Sequence, residues 1–145
     1  MMNRRTHIGA YGIVEKDNSI LLIQKARGPY TGLLDLPGGT IEFGEAPDGT
    51  VVREIDEETG LTVNDCQLVK AASFCFQHNC TSDIEPEEFH HLAFVYKVQC
   101  DSTNKIKTDS DGLDSFGAVW VHKDRCDVNK LSPLSKFAVS LIWNT

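Results

Sequence analysis

Glu45, Arg53, Glu54, Glu57 and Glu58 crowd one short stretch of the chain, just after Gly38 and Gly39. On a helical wheel centred on Glu54, Glu57 and Glu58 fall within about 60° on either side of it. Three carboxylates so placed repel, by a few tenths of a kcal/mol per pair on an exposed helix. Divalent cations turn that repulsion into coordination. Magnesium takes carboxylate oxygens, keeps several waters and bridges to phosphates. Arg53 flanks Glu57, and Glu45 at the helix entrance is a second partner for it. A guanidinium there orients a carboxylate through a fork of hydrogen bonds. Gly38 and Gly39 suit a backbone that turns tightly and comes close to a ligand. An acidic helix face is ordinarily just solvated, so the spacing alone proves nothing.

The elements that must hold these residues are readable in outline. Residues 6–14 and 20–24 read as strands around the turn Lys16-Asp17-Asn18-Ser19. A loop follows over 27–32, then an extended piece over 34–36 running into Pro37-Gly38-Gly39, expected to be a sharp turn. A helix is expected over 47–59, with Pro47 in its first turn and Gly60 as its C-terminal cap. Val51, Val52 and Ile55 form its apolar stripe. Strands are expected over 67–77, 91–98 and 118–121, with polar loops over 78–88 and 101–115. Ser132 should cap a closing helix over 133–143 whose packing face is Leu134, Phe137, Ala138 and Leu141. The order predicts an α+β fold, an α/β/α sandwich with a mixed β-sheet between helices, in a single domain over 1–145.

At 145 residues the chain can bury a core unaided. Its net charge of −7 argues against a nucleic-acid polymer as partner. No apolar run reaches membrane-spanning length and no signal peptide is visible, so the expectation is a cytoplasmic protein with no membrane partner. A homodimer is compatible with the sequence. The five cysteines form no CxxC pair and read as thiols without a metal role. Cys75, His78, Cys80, His90 and His91 fit no common zinc spacing, and His90 and His91 would point to opposite faces of a strand.

The acidic stretch also resembles the Nudix box: Gly, any five, Glu, any seven, Arg-Glu-apolar-any-Glu-Glu-any-Gly-apolar. Gly39, Glu45, Arg53, Glu54, Ile55, Glu57, Glu58, Gly60 and Leu61 fill every specified position. A chance match is on the order of one in a billion per starting position, so a merely solvated face is a poor explanation. The resemblance implies a hydrolase that cleaves the diphosphate linkage of a small-molecule nucleoside diphosphate derivative with Mg2+, or Mn2+ as substitute. Carried over by position, Glu54, Glu57 and Glu58 are the metal ligands, with the Gly38 carbonyl as a further one. Arg53 and Glu45 form the orienting pair. Gly49 and Thr50 depart from the better helix formers often found there, and Gly49 should cost about 1 kcal/mol against alanine.

Substrate specificity belongs to loops outside the box. Arg27, Phe76 and His91 are the substrate-binding candidates, with Tyr30, Phe74 and His90 beside them. Leu34 stands where many relatives carry Trp. ADP-ribose or another nucleoside diphosphate sugar is the favoured substrate. The alternatives are a house-cleaning triphosphatase and a nucleotide-binding regulator that does not hydrolyse. Glu54 is expected to be the general base or its main metal support, with one aspartate of the long loop, Asp111 or Asp114 before the others (Asp101 and Asp109), assisting.

Overall fold

Alternation along three strands divides the interior into two cores, one on each side of the sheets. The computed structural model describes residues 2–78, 86–101, 106–108 and 115–143. The strands are β1 (Asn3–Ile13), β2 (Glu15–Lys16), β3 (Ser19–Lys25), β4 (Leu34–Asp35), β5 (Gly38–Thr40), β6 (Val63–His78), β7 (Glu87–Cys100) and β8 (Ser115–His122). The α-helices are α1 (Pro47–Thr59) and α2 (Pro133–Trp143), and two short 3-10 turns, Lys123–Arg125 and Val128–Lys130, lie between β8 and α2.

One sheet has the order β5-β1-β7-β6. It is mixed, because β1 runs parallel to β7 and antiparallel to β5, while β6 and β7 are antiparallel. The other joins β2, β4 and β8 to β3, all antiparallel. Side chains alternate across the strands. Tyr11, Ile13, Ile20, Leu22, Ala93 and Val95 pack with Leu134, Ala138 and Val139 of α2. Ala10, Leu21, Ile23, Tyr96 and Val98 pack with Val51 and Ile55 of α1. This is the expected α/β/α sandwich. Val51 and Ile55 are wholly buried, each contributing about 1.5–3 kcal/mol to the docking of α1.

Both helices keep their expected ends. Gly60 closes α1 at φ 79° and donates its N–H to the Asp56 carbonyl. Ser132 Oγ accepts from the Ser135 amide at 3.1 Å, capping α2. β6 and β7 each begin four residues before the 67 and 91 expected, and residues 78, 87 and 88 are strand and not loop. Three further details differ. Val52 is exposed, and the fully buried Thr50 and Thr59 flank the stripe instead. Leu141 is exposed, because the packing face of α2 runs through Ser135, Ala138 and Val139. Gly38 and Gly39 form no sharp turn. They lie in β5, antiparallel to β1, with Tyr11 opposite Gly38 and Ala10 opposite Gly39. Pro37 carries the chain between sheets, its carbonyl accepting from the Gly12 amide at 2.9 Å.

Among the described residues, no helix is long and apolar enough to cross a membrane. Cys66, Cys75, Cys100 and Cys126 are free thiols. His90 binds Ser73 while its neighbour His91 is buried, so the two face apart. Cys80 lies outside the described residues.

Candidate active site

The box residues meet where β5 passes the inner face of α1. Helix geometry brings Arg53 back over Glu45, which precedes the helix. Arg53 Nε donates to Glu45 Oε2 at 2.7 Å and Nη2 donates to Glu45 Oε1 at 3.0 Å, a two-pronged fork. Its Nη1 donates to Glu54 Oε1 at 2.9 Å and to Glu57 Oε2 at 3.4 Å. One planar cation therefore spans three carboxylates, which a point-charge ammonium cannot do.

Both oxygens of Glu45 are engaged. The Thr50 hydroxyl and the Glu42 amide also donate to its Oε1, at 2.7 and 3.1 Å. Hydrogen bonds from Arg53, then from Thr50 and Glu42, hold its carboxyl down at about 2. Glu45 is thus an anchor for Arg53. Thr50, which sequence reading treats as a weak helix former, is the second clamp on that anchor, and a buried hydroxyl one turn from an acid is the only signal of it.

Glu58 lies on the other side of the face. Its Oε1 accepts from the Gly38 amide at 2.8 Å. Burial pushes its carboxyl up to about 8 against the pull of that amide. Glu58 is partly buried, whereas its neighbour Glu57 is exposed. Burial also raises Glu54, while Arg53 opposes the shift. Glu57 is the outermost, its side chain 57% exposed.

The glycines before the helix make room. A Cβ on Gly39 would stand 2.7 Å from Glu54 Oε1, so the carboxylate occupies the space a side chain would take. Gly38 has φ 147°, and a Cβ there would meet the Ala10 carbonyl oxygen at 2.2 Å. No other residue fits.

Hard carboxylate oxygens suit a magnesium-type ion. Two carboxyls pushed up by burial are groups whose charged form a cation would restore. Among the described residues, no three His, Cys, Asp or Glu side chains already enclose a cation-sized point. Arg53 holds Glu54 and Glu57 to one side, and Glu57 is the most exposed of the three helix carboxylates. A cavity of about 350 Å³ bounded by Leu61, Val98, Cys100 and Trp120 is lined by none of the box glutamates.

The substrate-binding candidates divide. Arg27 is exposed. Phe76 is partly buried, its ring 5.8 Å from Tyr30 and 5.4 Å from Phe89. His91 is 1% exposed and presents no ring face to solvent. The Tyr30 hydroxyl lies 2.6 Å from its Nδ1 and the Tyr11 hydroxyl 2.8 Å from its Nε2. The structure thus places His91, a candidate nucleotide contact, within a buried polar link. Asp109, Asp111 and Asp114 lie outside the described residues; Asp101 is exposed.

A model of the NUDIX domain matches residues 3–138. The ADP-ribose pyrophosphatase of Methanocaldococcus jannaschii is 58% identical over 50 residues, covering 34% of this chain and 30% of that protein. The 8-oxo-dGTP diphosphatase of Escherichia coli is 36% identical over 69 residues, 46% of this chain and 54% of that one. The chain thus aligns with about a third to a half of these relatives' length. A MutT NUDIX hydrolase structure from Burkholderia pseudomallei superimposes with a TM-score of 0.68 at 20% identity, covering 95% of this chain and 98% of that one. It speaks for the fold alone.

Proposed function

Because the chain belongs to the NUDIX family, we propose that it hydrolyses the diphosphate linkage of a small nucleoside diphosphate derivative in the presence of a divalent cation. The observation that carries this reading is the Arg53 fork, which ties Glu45 and Glu54 together beside a Glu58 held by the Gly38 amide. A purely solvated acidic face needs no such internal wiring.

Glu54, Glu57, Glu58 and the Gly38 carbonyl would hold Mg2+, or Mn2+ in its place. When bound, such a cation neutralises diphosphate oxygens and makes water more acidic. Glu54 takes the proton from the attacking water as the new oxygen–phosphorus bond forms. The bridging phosphorus–oxygen bond breaks, and its electron pair leaves with the departing phosphate. Arg53 keeps Glu54 aimed, and Glu45 keeps Arg53 in place.

ADP-ribose or another nucleoside diphosphate sugar is the favoured substrate, supported by the higher local identity to the methanogen relative. The second reading, a house-cleaning diphosphatase of oxidised nucleotides, is supported by the bacterial 8-oxo-dGTP relative. Both keep the same box, so product analysis decides. ADP-ribose yielding AMP and ribose phosphate supports the first; 8-oxo-dGTP cleaved with ADP-ribose untouched replaces it with the second.

A further inference from the structure

We propose that Tyr11 is a positioning residue for the active site, held by a buried Tyr30–His91–Tyr11 hydrogen-bond chain and in turn fixing the Gly38–Gly39 strand against the glutamates of α1. The inference rests on reading Glu54 and Glu58 as part of the working site.

The Tyr11 ring lies in a bed made of glycine. A Cβ on Gly9 would stand 2.6 Å from the Tyr11 hydroxyl and 2.7 Å from its ring, and 2.9 Å from the Gly39 carbonyl oxygen. A Cβ on Gly38 would stand 2.6 Å from Tyr11 Cδ1. The ring therefore covers the backbone at Gly9 and Gly38 with nothing between. Tyr11 and Gly38 are also opposite each other in the β1–β5 pairing. Any tilt of this ring moves the strand whose amide grips Glu58 at 2.8 Å and whose bare Cα admits Glu54.

The far end of the ring is what prevents such a tilt. The Tyr11 hydroxyl lies 2.8 Å from His91 Nε2 and 3.2 Å from His7 Nε2, and His91 Nδ1 lies 2.6 Å from the Tyr30 hydroxyl. The register explains the meeting, since β1 and β7 are parallel with His7 beside His91. Proton counting closes with His91 neutral. Tyr30 donates to Nδ1, Nε2–H donates to Tyr11, and Tyr11 donates to His7. Tyr11, Tyr30 and His91 are 4%, 6% and 1% exposed. Apolar side chains would fill this space without the desolvation cost of three polar groups. The polar chain adds a defined ring orientation, which apolar packing specifies less sharply.

The test reads the metal-free protein as well as the enzyme. Amide hydrogen exchange followed by NMR should be about tenfold or more faster at Gly38 in Tyr11→Phe, with the Gly60 amide at the α1 cap unchanged as internal control. Tyr30→Phe should act in the same direction, more weakly, and reads the same chain should Tyr11→Phe not fold. The double variant should be no worse than Tyr11→Phe alone, because both act through one chain. In turnover, kcat should fall about fivefold or more with KM nearly unchanged. Unchanged exchange at Gly38, equal acceleration at Gly60, or strictly additive effects overturn the proposal. A wild-type protein that hydrolyses no nucleotide sinks the functional reading instead, while the exchange data still decide this one.

Discussion

Replacing Gly39 with alanine should disable the site while leaving the fold almost untouched. The backbone of Gly39 does not lie in the left-handed region, so alanine can adopt it without strain. The added Cβ would stand 2.7 Å from Glu54 Oε1 and 2.9 Å from its carboxyl carbon. An ordinary contact begins near 3.4 Å, so the carboxylate must retreat by about 0.7 Å. The atoms displaced are the end of a flexible side chain, and the stability cost should stay within about 1 kcal/mol. Catalysis is less forgiving, since a misplacement of about 1 Å can cost about a hundredfold. Gly39→Ala should therefore lower kcat by about tenfold to a hundredfold. Gly49→Ala is the matched control, because a Cβ there comes no nearer than 3.9 Å to Glu45 Cγ. It should keep full activity and gain up to about 1 kcal/mol. The assay is steady-state kinetics beside urea unfolding of all three proteins. Full turnover in Gly39→Ala would refute the argument that Glu54 must sit where the glycine leaves room.

Three further outcomes follow from the same geometry. Arg53→Lys should recover little of the turnover lost in Arg53→Ala, because one ammonium cannot reach Glu45 and Glu54 together; kinetics showing near-normal kcat in the lysine variant would reduce the role of Arg53 to charge. His91, held down to about 3 by burial, takes its proton only after the unfolded chain has, near 6.5. Its stabilising contribution is complete above 6.5 and drains as pH falls towards 3. By pH 5 it amounts to about 2 kcal/mol lost, so urea unfolding at pH 7.5 and 5 should show a smaller drop in His91→Gln than in wild type, and equal drops would contradict the burial argument. Glu54→Gln should cost about a hundredfold or more in kcat, and single Asp→Asn changes at Asp101, Asp109, Asp111 and Asp114 about tenfold or less; an aspartate variant as dead as Glu54→Gln, yet still binding magnesium, would move the base to the loop.

Much of this was legible in local chemistry. Pro47 and Gly60 bracket α1, and Ser132 opens α2, because caps and breakers act within a few residues of themselves. Glu54, Glu57 and Glu58 share a face because helix periodicity alone puts them there. What stayed hidden depends on partners distant in sequence. Gly38 and Gly39 read as a turn because their propensity is that of breakers, and only pairing with β1 makes them a strand. His91 read as a candidate ligand contact because its type is chemical. Its burial and its hydroxyl partners come from β1 and from the loop carrying Tyr30, which no window along β7 can reveal. Leu141 looked like core at helical spacing, but the face of α2 that meets the sheet is rotated towards Val139.

The most direct test of the central claim is a nucleotide panel incubated with the purified protein, with and without magnesium, and with products identified by chromatography. Turnover of at least one nucleoside diphosphate derivative is expected, ADP-ribose foremost, giving a nucleoside monophosphate and a second phosphate ester. It should vanish with chelator and return with Mg2+ or Mn2+. No turnover of any member of the panel, or turnover indifferent to chelator, would contradict the account.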